Sequence, residues 1–183
     1  MDHSLLLEKT LACGATKAAI IKESDIVTNI AFFDICKSNS CGMFGRCYMC
    51  PPAIGDPNAL IEKVHSYTTG VLYQLYDNIE DSYDIEGMQE VGARFGEISL
   101  KVKNELSKLL PADSWFLSAG GCHLCEKCGI LTGEPCRRPE DATIGMEGAC
   151  IDVYNTTKAT ELKYINGQDT VTYFGLALFR EEA

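Results

Sequence analysis

The chain has 183 residues, 46% hydrophobic and 23% charged, which fits one soluble globular domain with a core of its own. Its formal net charge of -10 argues against nucleic acid as a partner, because a phosphate backbone would be repelled. No run of about 18 apolar residues exists, so no membrane-spanning helix is expected.

Residues 4–13 read as a short helix with Leu5, Leu6, Leu7 and Leu11 toward one face. This opening carries Asp2, lacks a basic start and has Glu8 and Lys9 inside its apolar run, so it does not read as a signal peptide. "KAAII" (17–21) reads as a strand and "IAFFDI" (30–35) as a second extended run. The segment 36–52 is too rich in Gly, Cys and Pro for regular structure. "DPNALIEKVHSY" (56–67) reads as a helix with Asp56 as N-cap and Pro57 at its first position. "GVLYQLY" (70–76) reads as a strand, and 85–110 as a long amphipathic helix ended by Pro111. "SWFLSA" (114–119) is a strand leading into a second cysteine loop, 122–139. Residues 146–162 read as a helix, and "TVTYFGLALF" (170–179) as a buried final strand.

Strands alternating with helices predict an α/β (or α+β) fold, a single sheet with packed helices in one domain over 1–183. The order strand, cysteine loop, helix, strand occurs at 17–76 and again at 114–179, which raises an internal pseudo-two-fold repeat.

Ten cysteines is a high count. In the reducing cytoplasm, where this chain is expected to reside, thiols are metal ligands more often than bridges. Cys122, Cys125 and Cys128 form a C-x2-C-x2-C run, with Cys136 eight residues on. Such a run can curl round one face of a cubane, each sulfur reaching a different iron. It differs from the ferredoxin run C-x2-C-x2-C-x3-C-P in its last gap, which leaves open which cluster Cys136 serves. Cys36, Cys41, Cys47 and Cys50, followed by Pro51 and Pro52, fit a second cubane; a four-cysteine zinc site would accept the same spacing. Gly42 and Gly45 are read as letting backbone N–H groups approach sulfide. Cys13 and Cys150 read as small core residues. Arg46, Lys127, Arg137 and Arg138 either offset cluster charge or serve solubility. His123 reads as exposed or hydrogen-bonding, and His65 as surface or packing. No radical-SAM spacing, P-loop or G-x-G-x-x-G is present.

"SCGMFGRCYMCPP" and "SAGGCHLCEKCGILTGEPCRRPEDATIGMEGACIDV" resemble the signature blocks of the predicted metal-binding proteins of domain of unknown function 2284. The resemblance runs from about residue 17 to 179. It implies metal binding, iron–sulfur in character, in an anaerobe, and implies no reaction. Cys36, Cys41, Cys47, Cys50, Cys122, Cys125, Cys128 and Cys136 match the family's cysteines, and Pro51, Pro52 and Pro139 its flanking prolines. Gly145 stands where the family pattern would have serine.

The expectation is a cytoplasmic protein with two [4Fe–4S] clusters that passes single electrons to a redox partner protein. Neither nucleic acid nor membrane is expected as a partner, and the oligomeric state is not indicated. Two other classes compete: an iron–sulfur enzyme acting on a small molecule at a cluster-adjacent pocket, and a zinc-stabilised interaction module with zinc at the 36–50 site.

Overall fold

The two most apolar segments, around 70–76 and 170–179, form the centre of the molecule. The computed structural model describes residues 1–181 and holds one mixed sheet of five strands, ordered β1-β2-β5-β3-β4. These are β1 (Lys17–Lys22), β2 (Thr69–Asn78), β3 (Trp115–Ser118), β4 (Ile144–Gly145) and β5 (Thr170–Phe179). Only the short β3–β4 pair is parallel. Helices α1 (His3–Ala12), α2 (Ala31–Lys37), α3 (Pro57–Val64), α4 (Ile85–Leu106) and α5 (Val153–Thr157) complete an α/β fold with a single sheet and packed helices.

Side chains alternate between faces along a strand, so β2 feeds two cores. Val71, Tyr73 and Leu75 face α1 and α4, where Leu6 meets Val91, Phe95, Ile98, Val102 and Leu106. The three- and four-residue spacing of that α4 series makes one apolar stripe. On the other face Leu72, Phe174, Leu176 and Leu178 pack with Phe33, Leu60, Val64, Met146, Ile151 and Val153. As expected, Asp56 caps α3, accepting from the Asn58 and Ala59 N–H groups. Among the described residues no helix is long and apolar enough to cross a membrane.

Three expected boundaries change. "IAFFDI" is helical in α2 rather than extended: the Asn29 side chain accepts from the Ala31 N–H at 2.9 Å and turns the chain into a helix. Only Phe33 of that run is deeply buried, while Ile30 and Ile35 are 45% and 61% exposed, so its apolarity does not mark a core strand. The helix expected over 146–162 shrinks to α5. Cys150, at φ 63, breaks it, and Asp152 caps a new start by accepting from Asn155 N–H. α4 stops at Leu106, four residues before Leu110, whose N–H still bonds the Leu106 carbonyl at 2.9 Å.

The expected repeat is not established. β1 pairs with β2 and β3 with β5, but α2 and α3 lie between the first pair, and a 3-10 turn, β4 and α5 between the second.

Candidate metal centre

Cys36 is carried by the last turn of α2, and Cys41, Cys47 and Cys50 by the turns that follow. Cys122, Cys125 and Cys128 leave the end of β3, and Cys136 follows the 3-10 turn Gly129–Thr132. Two glycines let these segments meet. A Cβ on Gly121 would stand 2.9 Å from the Met43 Cε and 3.4 Å from the Cys50 Sγ. A Cβ on Gly145 would stand 2.7 Å from the Gly120 carbonyl oxygen, closer than real Cβ atoms come. A side chain at position 145 therefore does not fit without a backbone shift. The Tyr48 hydroxyl donates to the Glu134 carbonyl at 2.8 Å and ties the upstream loop to the downstream one.

Cys47 lies where the loops join. Its sulfur is 3.9 Å from the Cys122 carbonyl oxygen and accepts the Met49 N–H at 3.3 Å. Hydrogen bonds from the Cys122 and Cys50 thiols hold the Cys47 thiol far below its ordinary range. The same bonds to Cys47, aided by burial, push Cys50 and Cys122 up.

The eight cysteines line two cavities, and they divide differently from their order in the sequence. A narrow cavity is bounded by Cys47, Cys122, Cys125, Cys128 and Cys136. A wide one, of about 520 Å³, is bounded by Cys36, Cys41 and Cys50 together with His123, Glu147 and Tyr164. Cys47 does not line the second cavity. All ten cysteines are free thiols, and among the described residues no three His, Cys, Asp or Glu side chains stand together at the spacing of a single bound ion.

The basic residues separate by role. Arg137 pairs with Glu134 and donates to the Lys127 carbonyl at 2.8 Å. Its guanidinium pKa is raised first by Glu134 and then by the Cys125 and Cys128 thiols, so it sits beside the downstream sulfurs. Arg138 makes a surface pair with Asp141. His123 is an exposed residue on the wide cavity, and His65 makes a surface pair with Glu23 and a 2.9 Å bond to Thr28. The N–H groups of Gly42 and Gly45 are themselves donated to the Asn39 and Pro51 carbonyls, so any N–H groups these glycines let approach sulfide belong to other residues. Cys13 caps α1 and is only half-buried, whereas Cys150 is fully buried in the core, with Cys36 near enough to add to the burial that raises its thiol.

Sequence reasoning missed Glu147. It lines the wide cavity, and burial pushes its carboxyl pKa up. The available signal was a carboxylate set between two glycines in an otherwise apolar stretch, "IGMEGAC".

Thiol-walled cavities on an α/β scaffold place this chain among cysteine-rich metal-binding proteins. The family model described as "Predicted metal-binding protein (DUF2284)" matches residues 19–179, and the chain belongs to that family. No curated protein and no solved structure matches it.

Proposed function

We propose that the protein binds two [4Fe–4S] clusters and passes single electrons to and from a redox partner protein. The observation that carries this is the meeting of the two cysteine loops, where Cys47 of the narrow cavity takes hydrogen bonds from Cys122 and from Cys50 of the wide cavity, and Met49 lines both. Two centres so placed would exchange electrons with each other as well as with a partner. Cys122, Cys125, Cys128 and Cys136 ring the downstream site, and Cys36, Cys41 and Cys50 the upstream one, with Cys47 between them.

The donor set fits the group in kind, while the narrow cavity holds about 20 Å³ and its loops would have to open to admit a cubane. Both walls are rich in sulfur, and the irons of a cubane each take a separate thiolate. A zinc site at 36–50 would need four donors at about 2.3 Å from one ion. That reading has less support, because Cys47 does not line the cavity of Cys36, Cys41 and Cys50 and, among the described residues, no three His, Cys, Asp or Glu side chains are spaced for a single ion.

The deciding experiment is oxygen-free purification followed by iron, sulfide and zinc analysis. The proposal expects a brown protein with about eight iron and eight sulfide per chain. Stoichiometric zinc without sulfide would reject it in favour of the zinc module.

A further inference from the structure

The upstream cysteines do not all share one cavity. Cys36, Cys41 and Cys50 line the wide cavity, while Cys47 lines the narrow one beside the four downstream cysteines. Four thiolates close a cubane, and the wide cavity offers three. The remaining nearby thiol, Cys150, is 0% exposed in the core and does not reach the cavity.

The wide cavity is also larger than a cluster. Eight atoms at roughly 30 Å³ each, the share of a water molecule in the liquid, fill about 240 Å³. The cavity has about 520 Å³. Its size and its mixture of apolar and convergent polar groups are those of a small-molecule site.

We infer that the upstream cluster is held by Cys36, Cys41 and Cys50 alone, and that its fourth iron faces the cavity and binds a small molecule through one anionic oxygen or sulfur donor. This rests on the two-cluster reading above. The lining defines the ligand class. Neither Lys nor Arg lines the cavity, so the positive charge that holds an anionic donor comes from the iron. Met43, Met49, Val153 and Phe174 offer an apolar surface, and His123 and Glu147 lie within the same walls. A small carboxylate or thiol with an apolar body fits these walls. A phosphorylated or multiply charged molecule would lack cationic partners.

Oxidising the oxygen-free protein with ferricyanide tests the assignment. About one iron in eight should be lost, with the EPR signal of a three-iron cluster, and iron(II) with a reductant should restore it. Cys47→Ser should lose the same one iron, since Cys47 is not an upstream ligand. Cys50→Ser should lose the whole upstream cluster. Isotope-labelled cyanide, a compact probe of an open iron, should shift one EPR signal of the reduced wild type. If the wild type keeps all its iron and ignores cyanide while Cys47→Ser alone loses an iron, the upstream cluster has four cysteines and the inference is wrong, though two clusters remain. If Cys50→Ser keeps full iron and sulfide, no cluster sits upstream and the inference is equally overturned. A zinc protein without sulfide would remove the two-cluster reading itself.

Discussion

The Cys47 sulfur stands 3.9 Å from the carbonyl oxygen of Cys122, a residue 75 positions later in the chain. Neither loop has a helical or strand pattern that would order it alone. Each is instead positioned by the other, through this contact, the Tyr48–Glu134 hydrogen bond and the close passage of Gly121 over Met43 and Cys50. What happens to one loop should therefore be felt by the other.

Cluster loss and stability should fall together. In sites of this kind metal binding is coupled to folding, because the loops bury little apolar surface of their own. Cys125→Ser should lower iron and sulfide content and also lower the melting temperature of the oxygen-free protein. Iron analysis and thermal melts on the same sample provide the check. A variant that lost its iron yet melted with the wild type would show that the loops stand without metal.

Gly145→Ser should destabilise the protein. Its Cβ would meet the Gly120 carbonyl oxygen at 2.7 Å, and that partner is backbone, so no side chain can swing aside. Overpacking of this kind costs about 1–3 kcal/mol. For a chain of this size each kcal/mol lowers the melting temperature by roughly 2–4 °C. A melting temperature unchanged by the serine would mean that β3 and β4 separate more easily than their packing implies.

The sequence made the sheet legible because its central strands are buried on both sides. The expected final strand coincides with β5, and Asp56 with Pro57 marked the start of α3. "IAFFDI" misled because its apolar residues are partly exposed, and the helix start depends on the Asn29 side chain, a local bond that periodicity does not report. The left-handed turn at Cys150 cut short a helix that the pattern over 146–162 had extended. The cysteines themselves were plain in the sequence. Their division between two cavities was not, because the position of Cys47 is set by a contact across 75 residues rather than by spacing. Glu147 was hidden for the same reason: the cavity that gives it meaning is built from four separate segments.

Glu147→Gln should change the pH dependence of the apoprotein. Burial raises the Glu147 carboxyl above its unfolded value, which is about 4.3. The fold therefore favours the protonated form. That contribution is fully present below the unfolded pKa and is lost as pH rises through the folded pKa. Glutamine has no proton to lose. The variant should match the wild type near pH 4 and be more stable than it at neutral pH, as read from urea midpoints at the two values. An equal offset at both values would mean that Glu147 titrates alike in the folded and unfolded chain, and a wild type that gains on the variant as pH rises would mean that the carboxylate is stabilised in the cavity.

Electron exchange with a partner should depend on salt. The chain carries a net charge of -10. Two [4Fe–4S] clusters with four anionic donors each add about -2 apiece when oxidised, giving roughly -14, and an anionic ligand on an open upstream iron leaves that sum unchanged. Arg137 is the cation placed beside the downstream sulfurs, and it is already paired with Glu134. The surface should thus draw a basic partner from a distance. Such attraction raises encounter rates by about tenfold or more, and it fades as the screening length shortens to about 10 Å at 0.1 M salt. Protein reduced with dithionite and mixed in a stopped-flow instrument with a basic redox protein should show exchange that slows steeply as salt is added. An acidic redox protein of similar potential should react slowly at low salt and gain speed as salt screens the repulsion. Rates that ignore salt with both partners would exclude electrostatic docking, and the clusters would then have to exchange electrons through a contact made by shape alone.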